Sequence, residues 1–236
     1  MRTVFPDPVA EYDALVAERP ELFLNPSDAM IELVTAPDDR KAIEARLAER
    51  YEAEKLPRHW ACAGKFYEDP WLMVVRDMVR FPDDRAGSYH RILLKDGADS
   101  VVIVPRYRDD FILVRHFRHA LRGWSLELPR GHVGEGMSVE QAVTAELGEE
   151  IGGEVTSVRR LGMVQSDTSF VFNPMHVYEA ELSGFGGPGR AEGIASLHRT
   201  SLKEFRALVG NGQITDVVTV AAFAYVLLSE AGQPAT

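Results

Sequence analysis

One stretch limits this chain more than any other: Gly131-His-Val-Gly-Glu-Gly-Met-Ser-Val-Glu-Gln-Ala-Val-Thr-Ala-Glu-Leu-Gly-Glu-Glu-Ile-Gly152. It begins as a glycine-rich loop and turns into a helix. Ser138 followed three residues later by Gln141 makes a capping box, in which each side chain satisfies an amide that the first helical turn leaves unpaired. Val139, Ala142, Val143 and Leu147 recur at helical spacing, so one face is to be buried. Gly152-Gly153 supplies the stop. At about 100° per residue, Glu146, Glu149 and Glu150 fall within an arc of roughly 100°. Three carboxylates on one side repel one another unless a cation sits between them. Hard oxygen ligands of this kind suit Mg²⁺ or Mn²⁺ rather than zinc. An isolated Glu-Glu pair on a helix reads as a solvated face; the glycine loop ahead of this one sets it apart.

Composition narrows the setting. The 236 residues suffice for one large domain or a domain with an extension, and a hydrophobic content of 45% is ordinary for a folded chain. The net charge of −10 counts against indiscriminate binding to nucleic acid or anionic lipid. It leaves a nucleotide substrate open, because metal ions reverse the local sign. Cys62 is the only cysteine, so there is no internal disulfide and no cysteine-built metal site. The N-terminal residues lack an apolar signal core, and the apolar run from Val217 to Leu228 is too short to span a bilayer. The expectation is a soluble cytoplasmic protein.

Taken in order, residues 1–65 read as a helical N-terminal extension, with helices from Pro8 to Arg19 and from about Asp38 to Glu54. The second has a sparse apolar stripe (Ile43, Leu47, Tyr51) and is expected to pack by one edge. Residues 66–97 read as a β-hairpin, Trp71 to Phe81 and Ser88 to Lys95, joined by a turn through Pro82 and Gly87. From 98 to 236, strands and helices interleave. Val101 to Pro105 and Phe111 to His119 are strands, and Trp124, Leu126 and Leu128 alternate with Ser125 and Glu127. Further strands run from Val155 to Val164 and from Pro174 to Leu182. Short helices open near Thr200 or Ser201 and near Ile214, and Gln233 to Thr236 reads as a frayed tail. His116 and His119 have a His-x-x-His spacing, but residues three apart on a strand face opposite sides, so no shared metal is expected. The five glycines between Ser183 and Gly193 read as a mobile loop able to act as a lid.

The stretch from Gly131 resembles the Nudix box: glycine, five residues, Glu, seven residues, Arg-Glu, apolar, any, Glu-Glu, any, Gly, apolar. Glu146, Glu149, Glu150 and Gly152 fill its Glu-x-x-Glu-Glu-x-Gly half. Met137 stands at the first box glutamate, Ala145 at the box arginine, and Gly153 at the final apolar place. A buried Met137 beside Ala145 would exchange a charged pair for apolar contact. Glu-Leu-Pro-Arg ahead of Gly131 and the Gly-x-Ile-x-Asp-x-x-Thr pattern from Gly212 to Thr219 are similar to nucleotide-sugar members of the group.

The resemblance implies an α/β fold, the Nudix α/β/α sandwich with a mixed sheet, preceded by the helical extension and the hairpin. It implies a metal-dependent hydrolase cleaving the pyrophosphate of a nucleoside diphosphate linked to another group, of the ADP-ribose or nucleotide-sugar class. Mg²⁺ or Mn²⁺ would be held by Glu146, Glu149, Glu150 and the Arg130 carbonyl. Glu192, in a Glu-x-Ile segment, joins the three helix glutamates as a catalytic candidate. Substrate-facing candidates are Arg118, Trp124, Glu127, Arg130 and Asp167, the last of which either touches substrate or caps its own turn. Phe66, Tyr67 and Trp71 are further eligible aromatics for a base. The hairpin resembles a sheet that relatives exchange between subunits, which implies a homodimer. Because the box departs at Met137 and Ala145, a catalytically weakened nucleotide-binding sensor or partner-binding protein is the alternative.

Overall fold

The computed structural model describes residues 7–95 and 99–231. The chain forms two compact units. One comprises Met1–Gly97 with Asp167–Phe172, the other Ala98–Ser166 with Asn173–Thr236. The expected boundary at 97/98 and the expected frayed tail both lie outside the described residues.

In the first unit the helices follow local chemistry. The Asp7 carboxylate accepts the Val9 and Ala10 amides, and Pro8 opens α1 (Pro8–Glu18), which buries Tyr12 and Leu15. Pro37 opens α2 (Pro37–Ala53), whose first turn carries Asp38 and Asp39 at the positive end of the helix dipole. It buries Arg40, Ile43, Leu47 and Ala48, a one-edge stripe as expected. Both helices share a core with a five-stranded sheet built from β1 (Glu32–Leu33), β2 (Gly64–Glu68), β3 (Leu72–Arg80), β4 (Ala86–Leu94) and the short β10 (Val171–Phe172). The hairpin is β3 against β4, antiparallel, with Leu72 opposite Leu94 and Arg80 opposite Ala86. Asp77, buried in this core, accepts the Tyr12 hydroxyl at 2.6 Å and two bonds from the Arg91 guanidinium. The aspartate is thus fully paired, as a buried charge must be.

The second unit is the sandwich. Its seven-stranded sheet runs β12 (Ile194–Ser201), β6 (Asp110–Arg118), β5 (Ser100–Tyr107), β11 (Pro174–Gly184), β9 (Glu154–Gln165), with β7 (Gly123–Glu127) on β6 and β8 (Arg130–His132) on β5. The β5–β11 pair is parallel and the remaining pairs are antiparallel, so the sheet is mixed. Alternation along β5 sends Val101 and Ile103 to one face and Val102 and Val104 to the other. On the first face α3 (Val139–Ile151) packs Ala142, Val143, Leu147 and Ile151. On the second, α4 (Leu202–Gly210) and α5 (Val217–Ala231) pack Phe205, Leu208, Val218, Ala222 and Val226. No described helix is long and apolar enough to cross a membrane.

Candidate active site

The glycine loop and α3 are held at both ends. Ser138 Oγ accepts the Gln141 amide and Gln141 Oε1 accepts the Ser138 amide at 2.8 Å, the expected capping box. Gly152 ends the helix in the left-handed region at φ 59°, and the Gly153 amide returns to the Leu147 carbonyl. The glycines after β11 meet this same end. The Gly186 amide donates to the Ile151 and Gly152 carbonyls, and the Gly189 amide to the Glu150 carbonyl at 2.7 Å. A Cβ on Gly189 would stand 2.4 Å from the Glu149 carbonyl oxygen, so only glycine allows this approach. The expectation of a mobile lid is corrected: the segment is fastened to the last turn of α3, where it satisfies carbonyls the helix leaves unpaired.

Glu146, Glu149 and Glu150 line one cavity of about 530 Å³ with Arg118, Arg130, Gly131, His132 and Glu192. The strand β8 is what aims them. Its Arg130 main chain lowers the Glu150 carboxyl and its His132 main chain the Glu146 carboxyl, each against a larger rise from burial. Between them, Gly131 leaves the space that Glu146 occupies: a Cβ there would lie 1.8 Å from Glu146 Oε1. Burial, then the neighbouring Glu149 and Glu192, pushes the Glu146 carboxyl up to about 7. Burial, then Glu146, pushes Glu150 up to about 8, although Arg118 opposes the rise. Glu150 is only 4% exposed, and its Oε2 has no hydrogen-bond partner among the described residues. A buried carboxylate oxygen without a partner is costly.

Beneath the cavity lies a second charge cluster. Glu127, 1% exposed, forms ion pairs through Oε1 with Arg118 and through Oε2 with Arg130 at 3.4 Å, and its Oε1 also lies 3.4 Å from His116 Nδ1. Burial and then Arg118 hold the His116 ring below the usual imidazole range, while Glu127 pulls the other way. Glu127 therefore holds the two arginines rather than facing the cavity, and it is absent from the cavity lining. His119 lies beyond the end of β6, bonded to Arg122, well apart in role from His116.

The remaining candidates are placed elsewhere. Trp124 is half-exposed on β7, edge-on to Phe117 and stacked under the Arg115 guanidinium, and does not line the cavity. Asp167 belongs to the first unit and accepts the Ser169 amide at 2.7 Å, capping its own turn. Phe66, Tyr67 and Trp71 are exposed in that unit. Met137 is 40% exposed with its sulfur over Gly134, so the expected burial is corrected: the side chain after Gly136 leaves the loop on its outer side. Sequence reading missed Ser100, His116, His132, Ser166, Asn173 and Met175, which complete the cavity wall. Ser100 Oγ donates to Asn173 Oδ1 at 2.9 Å and meets His132 Nδ1 at 3.0 Å. These contacts join strands far apart in sequence, and only the position of His132 beside Gly131 hinted at it.

The donor set fits a hard divalent ion. An orphaned carboxylate oxygen, a second carboxylate held by repulsion-raised burial, and two arginines across one cavity make an unbalanced arrangement that a cation would balance. Among the described residues no three acidic or imidazole side chains already converge as a ligand set, and Glu149 is exposed.

Comparison with known proteins agrees with this geometry. The NUDIX domain model matches residues 97–216, just over half of the chain. Among solved structures, one titled "Crystal structure of ADP compounds hydrolase" superposes with a TM-score of 0.63 at 21% identity, over 73% of this chain and 94% of that one. At that identity the likeness speaks for the fold. No curated protein matches the chain. The matched span contains the glycine loop, the carboxylate helix and the half-buried arginine pair, and the chain belongs to the Nudix family of pyrophosphohydrolases.

Proposed function

We propose that this enzyme hydrolyses, with Mg²⁺ or Mn²⁺, the pyrophosphate of a nucleoside diphosphate linked to another group, of the ADP-ribose or nucleotide-sugar class. The observation that carries the reading is the buried, unpartnered Oε2 of Glu150, a residue that lines one cavity with Arg118 and Arg130. Glu146, Glu149 and Glu150 would hold the ion, with the Arg130 carbonyl beside them. When bound, the ion supplies a lowered pKa for water and charge neutralisation for the bridging phosphates. Arg118 and Arg130 offer guanidinium forks to phosphate oxygens, and Glu127 keeps both forks oriented. Glu192, exposed at the cavity edge, is the candidate to take the proton from attacking water. The name of the superposing ADP compounds hydrolase supports trying ADP-linked substrates first.

The reading is tested by chromatography of products from ADP-ribose and a panel of nucleotide sugars with each ion. A nucleoside monophosphate and a sugar phosphate are the expected pair. Tight binding of one compound with no product from any would instead support a nucleotide-binding sensor or partner-binding protein, the reading that Met137 and Ala145 favour. We also propose a homodimer formed through the β3–β4 sheet; light scattering giving a monomer mass at micromolar protein would overturn that.

A further inference from the structure

The start of α5 reaches the lead-in to β8. Thr219 is fully buried, and its hydroxyl works in both directions: it donates to Asp216 Oδ2 at 2.8 Å and accepts the Leu128 amide at 3.0 Å. Asp216 Oδ2 also accepts the Thr219 amide at 2.9 Å, while its Oδ1 accepts Arg130 Nη1 at 3.2 Å. The hydroxyl therefore holds the Leu128 main chain, and the carboxylate holds the Arg130 guanidinium. Pro129 between them is held separately, by the Ile103 amide on its carbonyl at 2.9 Å. The next residue along, Gly131, is the one against which the Glu146 carboxylate lies, an added Cβ there standing 1.8 Å from Oε1.

We propose that Asp216 and Thr219 are positioning residues for the carboxylate site: from the start of α5 they fix the lead-in to β8, and so how that strand lies against Glu146 and its neighbour Glu150. The inference rests on Glu150 holding a divalent ion. Leu128 and Pro129 link β7 to β8 outside either strand, and the proline can donate no amide of its own, so this link has few other anchors. Losing the Thr219 hydroxyl leaves the Leu128 amide buried without an acceptor, and the strand shifts to find one.

The test is Mn²⁺ affinity, read from the electron paramagnetic resonance signal of free Mn²⁺, in wild type, Thr219→Val, Thr219→Ser and Asp216→Asn. Valine keeps the shape and removes the hydroxyl, whereas serine keeps the hydroxyl and removes a core methyl. We expect Thr219→Ser within threefold of wild type and Thr219→Val weaker by tenfold or more. Asp216→Asn still caps the helix but loses its charge toward Arg130, so it keeps the test alive if valine prevents folding, and a loss of similar size is expected. Equal affinity throughout, or equal losses for valine and serine, overturns the proposal. A wild type that binds no Mn²⁺ overturns it together with the proposed function; one that binds Mn²⁺ and hydrolyses nothing overturns only the proposed function.

Discussion

Replacing Gly131 with alanine separates what holds the fold from what aims the site. The new Cβ would stand 1.8 Å from Glu146 Oε1 and 2.3 Å from Oε2. To reach ordinary contact at 3.4 Å, the carboxylate has to move by about 1.6 Å. The obstructing atoms end a flexible side chain, so the backbone need not yield. Moving them takes the carboxylate away from the His132 main chain, at a cost of about 1 kcal/mol. It also frees a carboxylate from burial beside Glu149, and alanine narrows the unfolded ensemble by about 0.4–1 kcal/mol. These oppose, so the metal-free protein should change by no more than about 1 kcal/mol. Metal ligation tolerates displacements of only about 0.2 Å, so the site should be lost. In wild type, Mn²⁺ at about a hundred times its Kd stabilises by roughly 2.7 kcal/mol, which for a chain of this size is about 5–10 °C in Tm. Gly131→Ala should show under about 2 °C in the same melt. A full metal-induced shift in this variant would refute the argument that the glycine exists to seat Glu146.

Further outcomes follow from the same geometry. Gly148 lies exposed within α3, without positive φ and with nothing within 4 Å of an added Cβ, so Gly148→Ala should stabilise by about 0.5–1 kcal/mol in urea melts and keep the full metal response. Glu146 and Glu150 are raised to about 7 and about 8 from 4.5. A carboxyl raised by folding contributes stability that is complete below the unfolded value and lost as pH rises through the folded one, so the metal-free Tm should fall between about pH 4.5 and 8; a Tm flat across that window would contradict the burial of these groups. Because Met137 is exposed, Met137→Glu should alter stability by less than about 0.5 kcal/mol, with or without Ala145→Arg, as chemical denaturation would show.

The carboxylate helix was legible because its signals are local. Ser138 and Gln141 cap it, Gly152 stops it, and the apolar spacing of Val143 and Leu147 sets which side is buried. The uninterrupted apolar run from Val101 to Val104 likewise marked a buried strand, and the structure covers it on both faces. What stayed hidden depends on the main chain or on distant partners. The fastening of Gly186 and Gly189 to α3 uses backbone amides, and glycine-rich sequence alone cannot distinguish a tether from a lid. Glu127 alternates like any strand residue; its role beneath Arg118 and Arg130 appears only once β7 pairs with β6 and β8 with β5. Met137 seemed bound inward by its chemistry, but the loop geometry at Gly134 and Gly136 turns it outward. The Asp-x-x-Thr at the end of the resembling pattern, Asp216 and Thr219, gained a physical meaning from bonds spanning 86 and 91 residues.

The central claim is that Glu146 and Glu150 hold the ion on which pyrophosphate cleavage depends. The most direct measurement is the turnover of ADP-ribose with Mn²⁺ by wild type and by Glu150→Gln, read as AMP formed. The account predicts AMP from wild type and a loss on the order of a hundredfold or more in the variant, with its metal-free Tm undiminished because a buried, repelled carboxyl has been neutralised. Equal turnover by the two proteins would contradict it.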